Sequence, residues 1–137
     1  MIKLFFIFVL IFLNKNVYSS SLFETSFYNV EFTSNNIETD KSKEINQIKT
    51  NTLLSIFKNI LNYKDYEEVS IYLTEDLINT FIKNIVINDE KIINDKYISK
   101  IKINYNKKKI IEFLKLKKIS YVEYHPNQFL LIIYENN

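Results

Sequence analysis

The sequence predicts an α+β domain, with a mainly antiparallel sheet of four to five strands and two or three helices packed on one face. Three stretches support this. From Lys96 to Tyr105 the residues alternate strictly, with Tyr97, Ser99, Ile101, Ile103 and Tyr105 on one side and Lys100, Lys102 and Asn104 on the other, which is the period of a half-buried strand. From Thr39 or Asp40 to about Leu61 the period becomes 3.6. Ile45, Ile48, Thr52, Leu53, Ile56, Phe57, Ile60 and Leu61 form one stripe, and Lys41, Lys43, Lys49 and Lys58 lie off it. Lys107 to Lys117 repeats that amphipathic pattern through Ile110, Ile111, Phe113, Leu114 and Leu116.

Residues 1–19 read as a signal peptide. Lys3 supplies a positive start, Leu4 to Leu13 is an unbroken apolar run, and Val17-Tyr18-Ser19 suits cleavage before Ser20. The run is short for a membrane span. An uncleaved inner-membrane anchor is the alternative, because Asn14, Lys15 and Asn16 suit a headgroup boundary. Both place residues 20–137, a single domain, outside the cytoplasm. With no cysteine, stability in an oxidising compartment has to come from packing.

Phe27 to Thr33 is a strand candidate, ended by the polar break Ser34-Asn35-Asn36. Thr39 or Asp40 is the expected cap of the long helix. Asn62 to Ser70 reads as a charged connector, and Thr74 as the cap of a short helix over 74–84, with Leu77, Ile78, Phe81, Ile82 and Ile85 at helical spacing. Ile85 to Tyr105 then reads as a β-hairpin. Its expected register sets Ile85 opposite Ile103 and Ile87 opposite Ile101, with Ile93-Asn94-Asp95 as a three-residue loop. Asn106 caps the lysine-rich helix. Ile119 to Tyr124 and Gln128 to Tyr134 are the last strand candidates, and Pro126 between them forbids one continuous inner strand. The expected core is Ile48, Leu53, Ile56, Phe57, Ile60, Phe81, Ile101, Ile103, Ile111, Leu114 and Leu131.

Charge and composition narrow the function classes. All 18 basic residues are lysine, and the surplus of Ile, Lys, Asn, Tyr and Phe fits A+T-rich coding rather than a ligand. The formal charge of +2 comes from Lys3 and Lys15, so residues 20–137 are neutral overall. A neutral domain without arginine lacks the electrostatic footprint of a nucleic-acid binder. His125 is the one histidine, set in a turn beside Pro126 with no nucleophile motif near it, and one histidine without cysteine builds no zinc or iron site. The adjacent acids Glu67-Glu68 and Glu75-Asp76 fit ordinary helix chemistry better than paired catalysis, since neighbours in sequence do not face each other on a helix. Asn88, Asp89, Glu90, Asn94 and Asp95 are oxygen-bearing, yet they lack the order and the glycine of a calcium loop. No catalytic, cofactor or metal residue is assigned.

The chain also shows a longer pattern. Ile-Val-Ile-Asn-Asp-Glu-Lys at 85–91, Lys96-Tyr97, Ile101-Lys102-Ile103-Asn104-Tyr105, a short helix, Ile119-Ser120-Tyr121-Val122-Glu123 and Phe129-Leu130-Leu131-Ile132-Ile133 follow one another. In order and spacing this resembles the DUF2066 family of exported proteobacterial proteins. That family shows an acidic strand ending in Glu-Lys or Glu-Arg, an Arg-Tyr opening the next strand, a helix, a proline-aromatic segment and an apolar terminal strand. Lys96 stands here for the family's arginine and Ser120 for its proline. The resemblance covers the chain after residue 25 and the N-terminal part of the family pattern, and it implies no catalytic residues.

The expected function is therefore that of a non-catalytic periplasmic or envelope protein-interaction module, working through a sheet edge or a lysine-bearing helix face. The face comprises Lys107, Lys108, Lys109, Lys115, Lys117 and Lys118. The alternatives are a periplasmic hydrolase with His125 or an acidic pair in a cleft, and a peripheral binder of anionic membranes. No cofactor is expected, and the partner is expected to be an envelope protein rather than nucleic acid.

Overall fold

The computed structural model describes residues 22–122. Their order is β1 (Tyr28–Thr33), α1 (Ile37–Ile60), α2 (Tyr63–Tyr72), α3 (Glu75–Phe81), β2 (Ile82–Ile93), β3 (Lys96–Tyr105) and α4 (Lys107–Leu116). The fold class is α+β as expected, but among the described residues the sheet has three strands, not four or five, and there are four helices. The strand order is β1-β3-β2, with both neighbours antiparallel to the central β3.

The predicted alternation of β3 holds residue by residue. Tyr97, Ser99, Ile101, Ile103 and Tyr105 are all buried. Tyr28, Val30 and Phe32 of β1 pair with Ile101, Ser99 and Tyr97 on the same face, and Phe32 stacks on Tyr97 with ring centres 5.1 Å apart. The other face carries ion pairs, Lys96–Glu31 at 2.6 Å, Lys100–Asp89 at 2.7 Å and Lys102–Glu24 at 3.2 Å.

Helix α1 covers the apolar face and runs alongside β3. Near its start Lys41 lies over the Tyr97 ring, and midway the Tyr105 hydroxyl donates to the Lys49 carbonyl at 2.7 Å. Its cap is Asn36, whose side chain accepts from the Thr39 amide at 3.3 Å. This corrects the expected Thr39 or Asp40. Asp40 instead accepts from the Ser34 hydroxyl at 2.6 Å, and a residue whose carboxylate is already engaged inside the first turn cannot also stand ahead of it as the cap.

The supposed connector at 62–70 is helix α2. Asn62 caps it by accepting from the Asp65 amide at 2.9 Å, and Val69 is fully buried with Tyr66 and Leu73 packed beside it. The charged pairs Lys64-Asp65 and Glu67-Glu68 hid that sparse i, i+3, i+7 apolar series. The next helix is shorter than the expected 74–84 because Ile82 pairs with Tyr105, and the sheet takes over at once. Phe81 closes α3 in the core, edge-on to Phe57 at 6.5 Å and to Phe113 of α4 at 5.3 Å. The α4 cap at Asn106 is as predicted.

The hairpin register is also as predicted, with Ile85 facing Ile103 and Ile87 facing Ile101. Its loop is shorter than expected: Ile93 pairs with Lys96, which leaves Asn94-Asp95 as the turn, and Asn94 takes a φ of 57°, a conformation asparagine tolerates. A bulge sits between Asn88 and Lys91, with Asp89 at a φ of 54°. Two residues there face Ser99 alone, so the alternation of β2 shifts by one. Lys91 turns to the open face and Ile92 to the face of Tyr97; an unbulged strand would aim Lys91 at the core.

The expected core residues Leu53, Ile56, Phe57, Ile60, Phe81, Ile101, Ile103, Ile111 and Leu114 are buried, and Ile48 is partly so. Ile119 to Val122 is not a strand. It passes the end of α1, where the Val122 amide donates to the Ile60 carbonyl at 2.8 Å. The expected signal peptide at 1–19, His125, Pro126, Leu131 and the Gln128–Tyr134 strand candidate lie outside the described residues.

Candidate interaction surfaces

Strand β1 is an edge of the sheet, and its register shows which groups face outward. The Ser34 amide donates to the Asp95 carbonyl at 2.9 Å, in step with the pairing of Thr33 with Lys96. Hydrogen-bonded pairs alternate along an antiparallel ladder. Tyr28, Val30 and Phe32 therefore exchange bonds with β3, while the backbone groups of Asn29, Glu31 and Thr33 point away from it. The strand is regular in register, lacks lysine, and begins beside Phe27 and Tyr28, which are 44% and 42% exposed. These features are the reverse of those that guard an edge against pairing.

The opposite edge is built differently. β2 carries register shifts at Ile82/Asn84 and Asn88/Lys91, and Lys83 and Lys91 stand exposed along it. Bulges and edge lysines oppose pairing with another chain. Its far end carries two exposed isoleucines, Ile92 and Ile93, each at 55%.

The six lysines of the predicted helix face are all exposed. Ile110, Ile111 and Leu114 of α4 point into the core, so burying the apolar stripe presents the lysines to water. Lys108 reaches Glu112 only at 3.9 Å. Lys117 lies 4.8 Å from the centre of the Tyr72 ring, and Lys107 5.8 Å from that of Phe23. No described carboxylate pairs with Lys109, Lys115 or Lys118. Sequence reasoning missed the neighbours of this face, Ile71 and Tyr72, because it did not recognise α2.

The acidic hairpin residues noted in the sequence have structural partners. The Lys41 ammonium donates to the Glu90 carboxylate at 2.6 Å and the Tyr97 hydroxyl donates to it at 2.8 Å. These bonds, the lysine's first, hold Glu90 below its ordinary value of 4.5, and the same contact raises Lys41. Asp89 is lowered by its bond from Lys100. Deeper in, the Tyr105 hydroxyl meets that of Thr52, and burial pushes Tyr105 up to about 12. Glu75 accepts from Asn46 at 2.7 Å, and Glu67 and Glu68 face solvent. No three or more described His, Cys, Asp or Glu side chains are grouped to hold a metal ion, and no described helix is long and apolar enough to cross a membrane.

Comparison of the chain with family models, curated proteins and solved structures finds no match.

Proposed function

We propose that this chain is a non-catalytic protein-interaction module of the bacterial periplasm or envelope, related to the DUF2066 proteins, and that it binds its partner by adding a strand to β1. The observation that carries this is the contrast between the two edges. One is bulged and lysine-guarded, whereas the other directs the backbone groups of Asn29, Glu31 and Thr33 outward from a regular strand. The leader-like residues 1–19 and the family pattern support the exported setting.

A partner strand would bond to those three residues and rest side chains against Phe27 and Tyr28. A photocrosslinking amino acid at Asn29 gives a covalent adduct with an envelope protein in cells. A second probe at Lys109 reports the helix face. Monomer alone from both positions ends the proposal, and an adduct from Lys109 only moves the contact from the strand to the helix.

A further inference from the structure

We infer that the junction of α2 and α4 is a docking surface for an anionic phospholipid bilayer, independent of the β1 edge. Lys117 over Tyr72 brings the C-terminal ends of these two helices together. Three large apolar side chains stand open there: Ile71 at 82%, Leu116 at 83% and Tyr72 at 47%. Lys115, Lys117 and Lys118 flank Leu116 in sequence, and α4 with its two following residues holds six lysines against the single carboxylate of Glu112.

Among the ten other described lysines, Lys41, Lys43, Lys96, Lys100 and Lys102 each meet a carboxylate at 3.2 Å or less, and residues 22–106 hold thirteen carboxylates against those ten lysines. The positive charge of the described residues is thus concentrated in 107–118, and three of those lysines lie at the end where the leucine and isoleucine stand exposed. Glu67 and Glu68 lie one turn back from Ile71 and Tyr72 along α2, which leaves the lysines in excess.

Leucine, isoleucine and tyrosine beside lysine is the composition of an interfacial anchor. The apolar parts enter the headgroup boundary while the ammonium groups remain at the phosphates. An acidic polypeptide would satisfy the lysines but gives no account of why Ile71 and Leu116 stand open to water. Each lysine near an anionic surface is worth about a fivefold change in partitioning.

The test is flotation of the full chain with phosphatidylcholine vesicles that either contain or lack phosphatidylglycerol, read as the ratio of bound fractions. The wild-type ratio is expected to be well above one and to fall with added salt. Combined Lys115→Gln, Lys117→Gln and Lys118→Gln should reduce partitioning into anionic vesicles about a hundredfold. The same charge change at the exposed Lys58, Lys64 and Lys83 should leave it within a few fold. Leu116→Ser should weaken binding to anionic vesicles without altering the salt dependence. A ratio near one, or equal loss from both lysine triples, overturns the inference. Retention on polyglutamate beads without flotation also overturns it and assigns the surface to an acidic protein.

Discussion

The two edges of this sheet share one central strand and have opposite surface chemistry. β1 is six residues long and in unbroken register, with exposed aromatics at its start; β2 is twelve residues long, twice shifted in register, and carries exposed lysines. The difference shows how bulges and lysines can oppose pairing at one edge of a small sheet while the other edge stays regular. The bulge at Asp89-Glu90 has two roles in this. It interrupts the outer ladder, and by shifting the alternation it brings Ile92 to the side of Tyr97 and turns Lys91 into water.

The largest expected effect falls on both edges together. Ile101 is fully buried between Tyr28 and Ile87, so Ile101→Ala should cost about 2–5 kcal/mol. It should lower the urea midpoint and weaken any partner contact only through loss of fold. A paired proline test separates the edges. The Val30 amide faces β3, so Val30→Pro should cost about 1–3 kcal/mol through a broken ladder. The Glu31 amide faces outward, so Glu31→Pro should cost less than about 1 kcal/mol, because it forfeits little beyond a surface ion pair with Lys96. Glu31→Pro should nevertheless abolish the crosslink from Asn29. Equal denaturation midpoints for the two proline variants would refute the assigned ladder.

Next in size is the bulge. Asp89 sits at a positive φ that a β-branched side chain resists, so Asp89→Val should destabilise by about 1–2 kcal/mol, with the largest loss of amide protection in β2. The smallest effect concerns Glu90. Its folded value is depressed, so its stabilising contribution is present above 4.5 and is lost as pH falls through the lowered folded value. The Tm difference between wild type and Glu90→Gln should be positive near neutrality and vanish in acid. The pair is partly exposed, so that difference should be small. A difference that grows on acidification would contradict the contact.

Which parts were legible in the sequence follows from how local each signal is. The strand at Lys96–Tyr105 and the helices at Ile37–Ile60 and Lys107–Leu116 declare themselves because each repeats its period over ten residues or more. The hairpin register followed because one slip would have exposed Ile85, Ile87, Ile101 and Ile103 together. The lysine face was equally readable, since burying Ile110, Ile111 and Leu114 leaves all six lysines exposed. α2 escaped notice because its core contact rests on Val69 with Tyr66 and Leu73 spaced among charges.

Periodicity and capping chemistry were therefore enough to place the main elements, their inward faces and the pairing of β2 with β3. They could not say which strand would stand at an edge, since β1 reaches β3 across more than sixty residues of intervening chain and nothing in its own six residues names its neighbour. Nor could they join Lys41 to Glu90, forty-nine positions apart, or Tyr72 to Lys117. Those pairings arise only when the apolar stripes of separate elements close on a common core, because burial dictates which face turns inward and packing then determines what stands beside it.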